Sequence, residues 1–499
     1  ITTPIYYVTD APHIGHLYST VAVDIMARYH RLRGDDVWFL TGTDEHGQKI
    51  QKKAKESNET PQALADRVVV RYQDAWKVFG IHFNDFIRTT EERHKKVVID
   101  YMQKLMKTGD IYLGTYEGWY CVPDEAFWTE GQLVDGKCPD CGRVVEKLHE
   151  ESYFFKMSAY QDKLLAHIEK HPNFIIPESR RNEVVSFIKL GLRDISISRT
   201  TIEWGIPMPD DPKATKKHKV YVWFDALTNY LSALGPLEDD PKYAKYWGKA
   251  THVVGKDIIR FHAVYWPTFL MALGLPLPQQ IVAHGWLTDS NRKISKSLGN
   301  VIDPIQLANE VGVDGVRFFL FREFVFGLDG EYTKEVMYRR INSDLANDYG
   351  NAVSRVANMM EKSLGTAEME GAKPLAVDSE IKTTCAEVPA LYEAAMQRFE
   401  YQKALDQVWR IISGVNRYID ATTPWALAKS AVPADKEKLS VVLWHCRESL
   451  RIASVLLLPF IPGSAAKALE TLGDTESTKV NHLIQDSSRW GAGSKKIKV

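Results

Sequence analysis

The sequence predicts an α/β fold in which a split, doubly wound domain carries an inserted β-rich module and is followed by an all-α helical bundle. Three features of the pattern predict it. Short apolar runs alternate with helical periodicity near the start of the chain, short aromatic strands and a cysteine cluster interrupt that alternation from about Gly109 to Gly205, and from about Tyr338 to Trp490 the pattern is helical throughout. Alternation of strand and helix with a polar turn after each strand is the signature of a Rossmann-type sheet.

Each element follows from its own residues. Ile5 to Val8 is β-rich, Thr9 to Pro12 is turn chemistry, and LYSTVAVDIMARYHRL from Leu17 spaces its apolar residues helically. Asp36 to Leu40 (DVWFL) reads as a second apolar strand ending in the polar turn TGTDEHG, with helical patterning from Gln48. After the insertion, Tyr221 to Phe224, Thr251 to Val254 and Gln280 to Ala283 read as further buried strands. The expected division is 1–108 and 206–285 for the two halves of the split Rossmann-type domain and 109–205 for the connective insertion, mainly irregular or β. A linking region with a basic loop spans 286–337, the helical domain 338–490, with loops at Gly371 to Pro374 and Ala431 to Ala434, and a basic tail 491–499.

Composition narrows the class. With 499 residues, 44% apolar and 25% charged, the chain is long enough for several buried cores and is no single small module. The longest apolar run, Ile452 to Pro462, is too short to span a bilayer, and the start has no secretory pattern, so a cytoplasmic chain trimmed of its first Met is expected. Lys+Arg 63 against Asp+Glu 64 leaves a net charge of −1, so a nucleic acid must be held by local patches. Five Cys in so long a chain make no disulfide scaffold.

Two short motifs carry the chemistry. His13-Ile14-Gly15-His16 stands between an expected strand and helix, where backbone N–H groups and the helix dipole favour an anion, and Gly15 admits a base or ribose close to the backbone. Alone, four such residues recur by chance and read more often as a pair of surface or capping histidines. Lys293-Ile294-Ser295-Lys296-Ser297, with Gly299 behind it, offers two ammoniums and two hydroxyls to phosphate. Alone, it reads more often as a solvated basic loop. Together, 280 residues apart on either side of a split α/β sheet, they are far more specific, because that topology can bring both to the carboxyl ends of the strands.

The pair resembles the HIGH and KMSKS signatures of the class I aminoacyl-tRNA synthetases, with Ile294 in place of the commoner Met. Within that class the chain is similar to the methionine-specific family over nearly its whole length: TPIYYV, FLTGTDEHG, YVWFDALTNY, GKDIIRFHAVYWP and YIDATTPW all contribute. The resemblance implies activation of methionine by ATP with Mg²⁺ and transfer to methionine tRNA, elongator and initiator, by a monomer. His13, His16, Lys293 and Lys296 would act on the phosphates, and Gly15, Gly255, Asp257 and Ile294 would complete the ATP site. Asp44 would bind the substrate ammonium. Ile5, Tyr7, Trp223, Ala226, Leu227, Tyr230, Ile258, His262 and Trp266 would form the methionine pocket, with Leu227 where some relatives have Pro. Aromatic rings suit a polarizable thioether, and a buried carboxylate suits an ammonium, although any one of these aromatics could equally be a core residue.

Rival readings are a non-catalytic tRNA-binding paralogue and a class I synthetase for another amino acid, cysteine above all. His16, Lys296 and Asp44 are all present, which speaks against lost catalysis, and the insertion of about 100 residues leaves little room for the large editing domain of the leucine, isoleucine and valine enzymes. The cysteine enzyme would be expected to place metal ligands inside its amino-acid pocket, whereas here the Cys cluster lies in the insertion.

Cys121-Val-Pro-Asp124 followed by Cys138-Pro-Asp-Cys141 has the two-knuckle spacing of a structural zinc site with Asp124 in place of a fourth Cys. The alternative is a hairpin folded without metal around Trp119, Tyr120, Phe127 and Trp128, and His149 is a second-choice ligand. In the helical domain the resemblance places the anticodon reader at Asn351, Arg355 and Trp425. Asn351 and Arg355 share a helix face, and Trp425 follows Pro424 at an expected helix start, where its ring either projects for stacking or fills the core.

Overall fold

The structure is a computed structural model, and it describes residues 1–235, 240–289, 292–294, 301–363, 378–474, 476–477 and 484–492. It divides into two compact units, residues 1–23 with 38–284 and residues 24–37 with 285–499.

The first unit opens with β1 (Tyr6–Tyr7), α1 (Ile14–Leu32, continuing into the second unit), β2 (Leu40–Asp44), α2 (Gln48–Glu56), α3 (Pro61–Val78), β3 (Asp85–Arg88) and α4 (Glu92–Thr108). A long antiparallel hairpin follows, β4 (Ile111–Cys121) against β6 (Glu146–Phe155), with β5 (Ala126–Trp128) returning on β4. Then come α5 (Gln161–Lys170), β7 (Ile175–Ile176), α6 (Glu178–Lys189), β8 (Ile195–Ser196), β9 (Ser198–Arg199), β10 (Lys219–Val220), α7 (Val222–Ser232), α8 (Pro241–Tyr246), β11 (Thr251–Gly255), α9 (Trp266–Leu273) and β12 (Gln280–His284). The central sheet is parallel: β1–β2–β3 on one side and β11–β12–β7 on the other, joined where Thr2 bridges both Leu40 and His252. This is the doubly wound arrangement expected, and it gathers the ends of β1, β2 and β11 on one edge.

Three elements differ from the sequence reading. The second strand is not DVWFL but Leu40–Asp44, which runs through the stretch read as a polar turn, and all five of its residues are buried. Its polarity is hidden by pairing: Thr3 donates to Thr41 Oγ1 at 2.7 Å and Thr43 to Glu45 Oε1 at 2.6 Å. Gly42 is required there, since a Cβ would lie 2.0 Å from the Ile87 carbonyl of β3. Tyr221 to Phe224, read as a strand, is instead the cap and first turn of α7, whose eleven residues are all buried. A run apolar on every side carries no period by which to tell helix from strand. The stretch 109–205 is not only irregular or β: the long hairpin fills its first half, and helices alternate with the short strands β7, β8 and β9 in its second. The helices are α5 and α6, and β7 returns to the parallel sheet beside β12.

The second unit holds the rest of α1, the small sheet of β13 (Leu287–Asp289), β14 (Arg292–Lys293) and β15 (Gly330–Glu331), and then helices. These are α10 (Pro304–Val311), α11 (Val313–Glu323), α12 (Lys334–Arg340), α13 (Asn351–Ser363), α14 (Asp378–Met396), α15 (Tyr401–Thr422), α16 (Pro424–Lys429), α17 (Pro433–Leu457), α18 (Pro462–Thr471) and α19 (Ile484–Ser487). A π-helical segment, Ile341–Gly350, joins α12 to α13. The apolar stripe of α15, Leu405, Val408, Ile412, Val415 and Ile419, is buried at the three- and four-residue spacing that drives bundle packing. Arg317 is fully buried, paired with Asp24 at 2.8 Å and bonded to the carbonyls of Phe460 (2.8 Å) and Pro459 (3.0 Å). It thereby ties α11 to the α1 segment and to the end of α17. No described helix is long and apolar enough to cross a membrane.

Candidate active site

Tyr7 and Asp44 are the last residues of β1 and β2 and lie side by side in the parallel register. The two imidazoles of HIGH flank the start of α1: their rings stack at 3.8 Å, and His16 Nδ1 accepts from the His13 backbone N–H at 3.1 Å. Gly15 has a steric reason as well, because a Cβ there would lie 2.9 Å from the His13 ring. Gly255 ends β11, and Asp257 and Ile258 lie in the short turn just after it, with the Asp257 carboxylate turned back towards Gly255.

The aromatic residues form a connected set. Trp223 stacks on Phe261 at 3.7 Å and meets His262 edge-on at 6.4 Å, while Tyr230 lies 5.7 Å from His262 and 6.2 Å from Trp266. His262 sits in a π-helical segment, Phe261–Tyr265, that leads into α9. Such segments re-aim side chains within a helix. Its Nδ1–H donates to the Ile258 carbonyl at 2.9 Å, so its Nε2 is the acceptor for the Tyr230 hydroxyl at 2.7 Å. Burial lowers its pKa to about 4, so at neutral pH the ring is uncharged with its tautomer fixed. Ala226 and Leu227 are buried on α7, and Ile5 is partly buried just ahead of β1.

Asp44 is buried, and its Oδ1 has no hydrogen-bond partner among the described residues. Burial raises its pKa well above the usual carboxylate value, and the nearby Asp225 and Glu125 raise it further. One oxygen of a buried carboxylate left without a partner among the described residues, close to two further carboxylates, is suited to a cation.

Several residues here escaped the sequence reading. Asp225 bonds His46 and His94 at 2.7 Å each, and His94 also bonds Ser232 at 2.8 Å. Burial would raise the Asp225 pKa, but the two imidazoles bring it down to about 2. Glu125 accepts the Tyr7 hydroxyl at 2.9 Å, and the His252 ring stacks on Tyr230 at 4.0 Å. The only signal in the sequence was a charged residue next to an aromatic or apolar run, as in WFDAL and PDEAFW.

Of KISKS, Lys293 belongs to β14 and Ile294 is buried, whereas Ser295, Lys296, Ser297 and Gly299 lie outside the described residues, as do Gly371 to Pro374 and most of the basic tail.

In the knuckle the ligand atoms of Cys121, Asp124, Cys138 and Cys141 all lie within 4.8 Å of one another, with Cys121 Sγ and Cys141 Sγ at 3.5 Å and Cys138 Sγ and Asp124 Oδ2 at 3.2 Å. Tetrahedral zinc with Zn–S of about 2.3 Å sets its ligand sulfurs roughly 3.8 Å apart, so this donor set fits the ion and could hold it. His149 is no part of it: it is exposed on β6 opposite Glu117.

In the second unit Asn351 and Arg355 are exposed on α13, and Arg355 donates to Asn416 of α15 at 2.9 Å. Trp425 is 46% exposed at the start of α16, so it is not a core residue.

Residues 1–147 and 142–357 match the family described as tRNA synthetases class I (M), and residues 369–494 match the anticodon binding domain of methionyl tRNA ligase. The chain belongs to the methionyl-tRNA synthetase family. It is 51% identical to the methionine–tRNA ligase of Caldanaerobacter subterraneus subsp. tengcongensis over 95% of this chain and 74% of that protein. It is likewise 51% identical to that of Bacillus subtilis, over 96% and 73%. Mycobacterium tuberculosis methionyl-tRNA synthetase in complex with methionyl-adenylate superposes with a TM-score of 0.92 at 42% identity, covering 97% of this chain and 95% of that one. The apo form of that enzyme gives 0.85 at 40%, covering 97% and 93%. The cysteine alternative is thereby excluded. Within the family frame, Trp425 falls inside the matched anticodon domain, while Asn351 and Arg355 fall in the stretch matched to the synthetase proper.

Proposed function

We propose that this methionine–tRNA ligase recognises its amino acid through Asp44 and the set Ile5, Tyr7, Trp223, Ala226, Leu227, Tyr230, Ile258, His262 and Trp266. ATP would be held by His13, Gly15, His16, Gly255, Asp257, Lys293, Ile294 and Lys296. The observation that carries the reading is the buried Asp44 oxygen at the end of β2, beside Tyr7, which has no hydrogen-bond partner among the described residues. A substrate ammonium placed there satisfies the carboxylate and orients methionine, and the neutral Tyr230–His262 pair offers hydrogen bonding without a charge to compete with the thioether.

The methionine carboxylate oxygen attacks the α-phosphorus of MgATP, and the bond from that phosphorus to the bridging oxygen breaks. Pyrophosphate then leaves with its electron pair. A hydroxyl of the tRNA terminal ribose next attacks the carbonyl, the bond from that carbonyl to the AMP oxygen breaks, and the hydroxyl proton passes to the departing phosphate or to solvent. No nucleophilic side chain is needed. The imidazoles and ammoniums orient the anions and stabilise charge as it moves to the leaving group. Asn351, Arg355 and Trp425 would read the anticodon of elongator and initiator methionine tRNA. We further propose a cytoplasmic enzyme active as a monomer.

Methionine-dependent ATP–pyrophosphate exchange tests the reading. Asp44→Ala should raise KM for methionine strongly, and methionine analogues lacking the α-amino group should then lose little further affinity. If wild type and variant discriminate equally against such analogues, Asp44 has another role.

A further inference from the structure

Glu125 belongs to none of the motifs, yet its backbone and its side chain are both held in place. It follows Asp124, the carboxylate of the candidate metal set, at the tip of the knuckle. Its φ is +50°, a left-handed conformation that roughly 1–2 kcal/mol of steric strain disfavours in a non-glycine residue. The side chain is buried: Oε2 accepts the Tyr7 hydroxyl at 2.9 Å, and Oε1 has no hydrogen-bond partner among the described residues, with the Lys49 ammonium acting on the carboxylate. Gly47 of TDEHG, at φ +103°, ends in front of it at the start of α2, where a Cβ would lie 2.8 Å from Glu125 Oε1. The backbone is anchored as well. The Glu125 carbonyl accepts the Tyr221 hydroxyl at 2.5 Å, and the Asp124 carbonyl accepts the Trp223 indole N–H at 3.5 Å.

Strain and a buried carboxyl group persist at one residue only where the surroundings hold it there, and such residues cluster at functional sites. The bonds from this short tip reach β1 and both ends of the Tyr221-Val222-Trp223 turn, so the knuckle docks on the same residues that frame the amino-acid site.

We propose that Glu125 is a positioning residue for methionine recognition, holding the Tyr7 hydroxyl so that the Tyr7 ring is fixed beside Asp44 and the knuckle sets the geometry of the ammonium end of the site. The inference rests on the assignment of Tyr7 and Asp44 to the methionine site. A purely structural Glu125 would instead only seat the knuckle against α2.

The test is a double-mutant cycle on the full chain with its metal in place. Glu125→Ala, Tyr7→Phe and the pair are compared in pyrophosphate exchange and in methionine binding by calorimetry, with metal content and thermal melting followed in parallel. Glu125→Gln, which keeps the shape, guards against loss of fold. Glu125→Ala should raise methionine KM about tenfold, the worth of one charge-assisted hydrogen bond, with kcat and the KM for ATP within about twofold. The double variant should be no worse than the poorer single one, because both substitutions break the same bond. Additive effects, or a Glu125→Ala variant that melts lower with unchanged methionine affinity, would overturn the proposal. Asp44→Asn separates the two levels: if it too leaves methionine affinity intact, the site assignment falls and takes this proposal with it, whereas if it weakens affinity and the Glu125 variants do not, the proposal falls alone.

Discussion

His262 shows how a single side chain can be tuned by burial. Enclosure lowers its pKa to about 4, although the Ile258 carbonyl and Asp257 act in the opposite direction. An unfolded histidine titrates near 6.5. Between these values the unfolded chain binds a proton that the folded one refuses, so the stabilisation is complete above about pH 6.5 and is lost as pH falls towards 4. The difference amounts to about 3 kcal/mol. Thermal melting followed from pH 7 to pH 4 should therefore fall more steeply for wild type than for His262→Asn. Parallel curves would mean that the ring is already charged in the fold. Asp225 is the complementary case, a buried carboxylate kept ionised down to about pH 2 because two imidazoles bond it. Residue types at both positions were visible in the sequence. Their ionisation states were not, because burial and partners far apart along the chain decide them: His46 and Asp225 are 179 residues apart.

At the scale of elements, the knuckle is the clearest gain over the sequence. Its cysteine spacing was legible, and so was the substitution of Asp124, because ligand identity is local. Its reach into the amino-acid site was not legible, because that depends on how β4 and β5 lie against the start of α7. Removing zinc with a chelator, or Cys138→Ser, should abolish a stoichiometric metal signal and lower the melting temperature. If metal-free protein keeps full stability, the hairpin folds on its aromatic residues alone. Strand β2 teaches the opposite lesson. TGTD looks like a turn by composition, and becomes a strand only because neighbouring strands and hydroxyl pairs satisfy its polar groups. In α7 the misleading feature was total burial, which erases amphipathic contrast.

At the scale of the whole molecule, the residues proposed for methionine and those proposed for the anticodon belong to different compact units. Trp425→Ala should therefore leave methionine-dependent pyrophosphate exchange nearly unchanged and reduce tRNA charging by about ten- to a hundredfold, since stacking on one base is worth roughly 1–3 kcal/mol. Because the ring is 46% exposed, melting should shift little. Parallel loss of stability and of both activities would assign Trp425 to packing instead. Arg355 is already bonded to Asn416, so its guanidinium is oriented before any RNA arrives, and an ordered donor loses less freedom on binding.

By itself the sequence determined the chemistry on offer: the histidines and lysines of the two signatures, the cysteine spacing, the helical character of the last third, and through their joint order the family. These are properties of residue type and spacing, which the chain carries whether folded or not. Only the tertiary structure decided that β2 is a strand, that α7 is a helix, that β7 returns to the parallel sheet, and that Glu125, His94 and Asp225 gather beside Asp44 and Tyr7. Those outcomes turn on burial and on hydrogen bonds between distant segments, for which a local pattern holds no record.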